Sequence, residues 1–126
     1  MKFSRVVIKT KDYRKSFEFY HNTLGLKLSD SWQRKDSWGA IFSAGTGIIE
    51  IIWFPSGEGL EDCNYAMERA KVDIDFEVSD IDILYRRFSD SGVAVLSKPS
   101  DMPWGYRVFS IKDPDDVRIT FLQPLK

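Results

Sequence analysis

Cysteine is nearly missing from this chain. Cys63 stands alone, so no internal disulfide can form, and a reducing, cytoplasmic setting is expected. Cys63 also sits beside Glu61 and Asp62, and negative neighbours disfavour a reactive thiolate. Histidine is equally scarce: His21 is the only one, and its place late in a predicted helix fits a helix-end residue better than a catalytic base. Neither sign of charge dominates. With 18 basic and 19 acidic residues the net charge is −1, which leaves no basic excess to neutralise phosphates and disfavours nucleic-acid binding. Long apolar runs are absent too. The longest, 48–54, is interrupted by Glu50 and falls far short of the ~20 residues a membrane helix needs. The N-terminus shows no basic segment followed by an apolar stretch, so no signal peptide is expected. The only Gly-rich spot, Gly45-Thr46-Gly47, is too short to cradle phosphate and precedes no helix.

What the chain does contain is an ordinary globular mixture over 126 residues, 43% hydrophobic and 29% charged, the size of one domain. Aromatic residues reach 14%, with four Trp, nine Phe and five Tyr, enough for a large core or an aromatic-lined pocket.

Read along the chain, residues 3–10 form a β-branched strand and Asp12 an N-cap. Residues 13–23 follow as a helix with Phe17, Tyr20 and Leu24 at helical spacing, and Gly25 stops it. Strands are expected at 26–33, 37–43 and 47–54, the last two joined by a hairpin turn at 44–47. Residues 55–69 read as a linker, with Glu58, Glu61, Asp62 and Glu68 as a possible acidic rim. The order then repeats: a strand at 71–78, an N-cap at Asp80, a helix at 81–91 with Ile81, Leu84, Tyr85 and Phe88 on one face, and a stop at Gly92. Strands at 93–97, 105–111 and 117–122 follow, with a turn at 113–116 between the last two. Asp12 and Asp80 are 68 residues apart, and the two stop glycines 67. This spacing argues for two βαβββ repeats, at about 1–54 and about 70–126, in one domain covering 1–126.

The run 5–12 (RVVIKTKD), Ser16, Phe19-Tyr20 and Leu24-Gly25-Leu26 resembles the opening of vicinal-oxygen-chelate proteins. The run 73–80 (DIDFEVSD), Trp104-Gly105, Phe109 and Asp113-Pro114-Asp115 resemble the second half of their glyoxalase/bleomycin-resistance branch. The family turn usually carries Gly where this chain has Asp116, a residue that tolerates the left-handed conformation moderately well. The resemblance implies an α+β fold of curved mixed sheets and a homodimer. It also implies four metal positions, which here are Arg5, Glu50, Asp73 and Thr120. Only Glu50 keeps the family's residue type. Guanidinium stays charged and only donates, so Arg5 is expected to repel a cation, to pair with Glu50, Asp73 or both, and to leave the protein without a metal cofactor. If that pair is buried, losing Arg5 costs about 3–5 kcal/mol.

Trp32, Trp38, Phe42, Trp53, Phe54, Trp104 and Tyr106 cluster in or beside predicted strands. Strand parity puts Trp38 with Ala40 and Phe42, Trp104 with Tyr106, and Phe54 with Glu50, while Trp53 faces away. Trp38, Phe42, Phe54, Trp104 and Tyr106 are the candidate ligand-binding residues. Gly39 and Gly105 are read as leaving room beside Trp38 and Trp104. The same aromatics also suit a core or a dimer contact. Together these features suggest a metal-free binding protein that sequesters an aromatic or cationic compound in a dimer cleft. The alternatives are a superfamily lyase or dioxygenase with an atypical metal site, in which Glu50 or Asp73 could act as a base, and a dimeric accessory module without a small ligand.

Overall fold

The computed structural model describes residues 1–56 and 72–126. The expected linker, with its acidic residues and Cys63, lies largely outside them. The chain divides into two compact units, Met1–Asn64 and Tyr65–Lys126. Each contains one βαβββ repeat.

In the first unit the order is β1 (Val6–Lys9), α1 (Tyr13–Glu18), β2 (Lys27–Gln33), β3 (Trp38–Ala44) and β4 (Gly47–Trp53). The sheet order is β1-β4-β3-β2, with β1 parallel to β4 and the other pairs antiparallel. The second unit repeats this with β5 (Asp73–Glu77), α2 (Ile81–Asp90), β6 (Ser100–Asp101), β7 (Tyr106–Lys112) and β8 (Arg118–Pro124) in the order β5-β8-β7-β6.

The two helix starts are built alike. Asp12 accepts from Lys15 N and Asp80 from Ile83 N, each at 3.1 Å. Their backbones agree closely, with φ/ψ of −142/97 and −144/101. Both caps satisfy an otherwise unpaired helical donor. Gly25 and Gly92 follow the helices with φ of +71 and +77, a conformation that side chains with a Cβ resist.

The first helix departs from the simple periodic reading. After Glu18 it widens into a π-helical turn over Phe19–Thr23, closed by Leu24 N donating to Phe19 O at 2.9 Å. The extra residue in the turn lets the neighbours Phe19 and Tyr20 both become buried. Phe17, expected on the buried face, is only half-buried and rests on Phe42, with a ring separation of 5.6 Å.

Each sheet buries the face that carries its helix. In the first unit that face holds Ile8, Ala40, Phe42, Ile49 and Ile51; in the second it holds Phe109, Ile111, Ile119 and Phe121, against Ile81 and Phe88. The expected strand at 93–97 is not formed. Only Val95 makes an isolated bridge, to Ile111, and the edge strand is β6, further along. Pro99 cannot donate to a ladder, and pairing starts directly after it.

The turn before β8 is organised by the buried Asp113, whose carboxylate accepts from Asp115 N and Val117 N, both at 2.8 Å. Asp116 takes the left-handed position at φ 63. Asp113→Ala removes the acceptor of two N–H groups and is expected to cost about 2–3 kcal/mol. Asp80→Ala, at an exposed cap, is expected to cost about 1 kcal/mol. Urea denaturation of both variants checks this ranking.

Candidate functional site

Side chains alternate across a strand, so every residue that does not face a helix faces the other way, onto what is called here the far face. In the first unit the registers Val7↔Glu50, Ile41↔Glu50 and Gly39↔Ile52 put these residues on one far face. Asp30 and Trp32 join it from β2, opposite Ile41 and Gly39.

At the centre of this face Arg5 Nη1 donates to Glu50 Oε1 at 2.9 Å. Arg5 Nε also reaches Ser4 Oγ at 3.4 Å. The side chains are 34% and 16% exposed, so the pair is partly solvated. Arg5 thus pairs with Glu50 as expected, but the pair is only part-buried, and the cost of losing it falls towards the range of solvated pairs.

The second unit carries a pair of the same reach with the signs exchanged. Arg118 Nε and Nη2 each bond Asp73, at 2.7 Å to Oδ1 and Oδ2. In both units the partners are 45 residues apart, joining the first strand to the last. Arg118 did not stand out in the sequence. Its signal was parity: it lies two residues before Thr120, on the same face of β8 and in register with Asp73. The Asp73 hydrogen bonds hold the Arg118 pKa above the ordinary arginine value. Thr120 shares a hydroxyl contact of 2.8 Å with Ser110.

Opposite Thr120 stands Asp75. Burial pushes its pKa above the ordinary aspartate value, the Asp73 charge adds to this, and Arg118 opposes it.

These four positions do not fit a divalent cation. Arg5 brings a fixed positive charge onto Glu50, both Asp73 oxygens are taken by Arg118, and Thr120 offers only a neutral hydroxyl. Within either unit, the described residues include no group of three His, Cys, Asp or Glu placed to hold a metal.

The aromatic candidates separate. Phe42 has 0% exposure and packs under α1 against Phe17, Tyr20 and His21. It is a core residue and presents no surface to a ligand, so its expected role is withdrawn. Trp38 lies on the same helix side, edge-on to Tyr13 at 5.7 Å and to Trp53 at 5.0 Å. Trp53 thus points away from Glu50, and Phe54, half-buried, follows it in the chain. In the second unit Trp104 is 65% exposed in the turn before β7, and Tyr106 is half-buried on the far face of β7.

Trp32, like Trp53, lies outside the candidate set, yet it is the tryptophan on the far face of the first sheet. A Cβ at Gly39 would lie 2.1–2.6 Å from Cζ2, Cη2 and Cε2 of its ring. The missing side chain of Gly39 therefore makes room for Trp32 rather than for Trp38. Trp32 Nε1 donates to Ser37 Oγ at 3.2 Å, and the Arg34 guanidinium stands 5.7 Å from the ring centroid. The Trp32–Gly39 register was the missing signal, because it requires knowing which strands pair.

The fold and these positions define a class, and comparison with known proteins agrees. The profile of the Glyoxalase/Bleomycin resistance protein/Dioxygenase superfamily matches residues 2–121, and the chain belongs to that superfamily. It is 31% identical over 120 residues to the uncharacterized protein YraH of Bacillus subtilis, covering 91% of this chain and 92% of that one. A glyoxalase family protein from Bacillus cereus superimposes with TM-score 0.81 at 18% identity, covering 100% and 95% of the two chains. The fosfomycin resistance protein FosX of Listeria monocytogenes does so with TM-score 0.74 at 19% identity, covering 98% and 93%. At these identities the two structures speak for the fold alone.

Two measurements test the charge layout. Arg5→Ala is expected to lower stability by about 1 kcal/mol in urea, as for a partly solvated pair. A loss of ~3 kcal/mol or more would mark a fully desolvated one. Asp75 is protonated more readily when folded than when unfolded. Its contribution is therefore fully present below the ordinary aspartate pKa and is lost as pH rises through the folded value. Asp75→Asn should stabilise the protein at pH 7, with the gain shrinking as pH falls into the carboxylate range. A gain that does not change with pH would contradict this assignment.

Proposed function

We propose that this chain is a metal-free small-molecule-binding protein that works as a homodimer in the cytoplasm and sequesters an aromatic compound on the far face of its first sheet. The observation that carries the reading is the Trp32 ring, seated on Gly39 and pinned through Ser37. A fixed flat ring beside an apolar strip is the standard means of holding another flat ring. That apolar surface is Val7, Ile41, Ile48 and Ile52, which flank Glu50 on all sides and are all at least partly exposed. The Arg5–Glu50 pair supports the metal-free part of the proposal. Trp104 and Tyr106, both with exposed surface, are kept as a separate candidate aromatic contact of the second unit.

A second reading, a metal-free enzyme of the same superfamily, draws on Asp75. A carboxylate with a raised pKa beside the Thr120 and Ser110 hydroxyls has the chemistry of a general base.

Calorimetric screening of flat aromatic compounds against the purified protein tests the binding reading. Gly39→Ala pushes a methyl group into the Trp32 ring, so it is expected to weaken any hit at least tenfold while the protein stays folded. Trp38→Phe, on the helix side, should leave the affinity within about twofold. The absence of hits across a broad library, or a hit unaffected by Gly39→Ala, would refute the proposal. Stoichiometric metal in the purified protein would refute its metal-free part. Sedimentation velocity tests the homodimer.

A further inference from the structure

The far face of the first sheet also carries information about the charge of its ligand. This inference rests on the reading of that face as an aromatic site. Arg5 spends one N–H on Glu50 and directs Nε at Ser4. Among the described residues its Nη2 donates to nothing. Glu50 already neutralises one unit of charge, yet the surroundings remain positive. Lys9 is in register with Ile52 and Lys27 with Ser43, both on this face, and Arg34 stands over the Trp32 ring. Against the four cations Arg5, Lys9, Lys27 and Arg34 the face sets two anions, Asp30 and Glu50. Lys35 and Asp36, in the turn after β2, cancel each other.

The placement of the two groups fixes a span. The Trp32 ring lies over Gly39 on β3, and the Arg5 guanidinium is tied to Glu50 on the neighbouring β4. Gly39 is in register with Ile52, two residues from Glu50. One strand spacing across and one two-residue step along put the two backbone anchors, Gly39 and Glu50, about 8 Å apart. That is the reach of a one- or two-ring aromatic acid that stacks its ring on Trp32 and places its acid group on guanidinium. A cationic ring would meet the positive charge of Arg34, whose guanidinium stands 5.7 Å from the Trp32 ring centroid, whereas an acid is drawn to both arginines.

We propose that the ligand class of this face is an aromatic anion, a flat ring bearing a carboxylate or an acid of like geometry, with Arg5 receiving the anionic oxygens through its free N–H groups. Arg5 thereby supplies from the protein itself a positive charge of fixed position. The specificity this creates is against cationic rings.

The test compares three probes of equal ring size on the intact protein by titration calorimetry: 2-naphthoate, 2-naphthylmethanol and 2-naphthylmethylammonium. Naphthoate is expected to bind at least tenfold tighter than the ammonium, with the alcohol between them and the gap narrowing as salt is raised. Arg5→Gln should remove most of the advantage of naphthoate over the alcohol, Arg5→Lys should restore part of it, and Gly39→Ala should weaken all three. Arg34→Gln, at an exposed position, gives an independent reduction of the preference even if Arg5→Gln does not fold. Equal binding of the three probes, or tighter binding of the ammonium, overturns the anion inference and leaves the aromatic site standing. Failure of all three to bind overturns both.

Discussion

The Arg5 guanidinium resting on the Glu50 carboxylate is the contact on which the character of this protein turns. Where the family resemblance implies a metal position, this chain carries a cation of its own, paired with Glu50. Guanidinium cannot lose its charge under any condition in which the protein folds. It therefore opposes a divalent ion at this position by repulsion, and it occupies the Glu50 carboxylate. Partial solvation keeps the pair modest in energy. Its importance is chemical, because among the described residues it leaves Arg5 Nη2 without a partner.

The second unit answers the same requirement with opposite signs. Asp73 stands where the first unit has Arg5, and Arg118 reaches across from the last strand to hold it by both oxygens. A parallel first–last strand pair brings two side chains together on the far face whatever they are, and a charge at one position demands its complement at the other. The two repeats thus share a geometric relation and not residue types. Beside it stand Asp75, with its raised pKa, and the Ser110–Thr120 hydroxyl contact.

The aromatic side chains are divided by the same alternation. One face of the first sheet takes Phe42, Trp38 and Trp53 beneath α1, where they stabilise the fold. The other face takes Trp32, which can lie flat only because Gly39 has no side chain. Four tryptophans in a small chain suggested a lined pocket. Two of them, Trp38 and Trp53, are packed on the helix side of one sheet.

The sequence by itself determined the repeat. Two Asp caps 68 residues apart, two stop glycines and alternating strands are local features, set by hydrogen bonding and burial within a few residues, and the structure reproduces them nearly atom for atom at the caps. Local signals also limited that reading. The π-helical turn at Phe19–Thr23 and the displacement of the edge strand to Ser100–Asp101 depend on packing and on Pro99, which periodicity does not weigh. The partners across strands were decided only by the tertiary structure. That Arg118 meets Asp73, that Trp32 covers Gly39, and that Phe42 turns inward follow from register and from the face the helix occupies, because contacts between residues far apart in the chain exist only once the strands have paired.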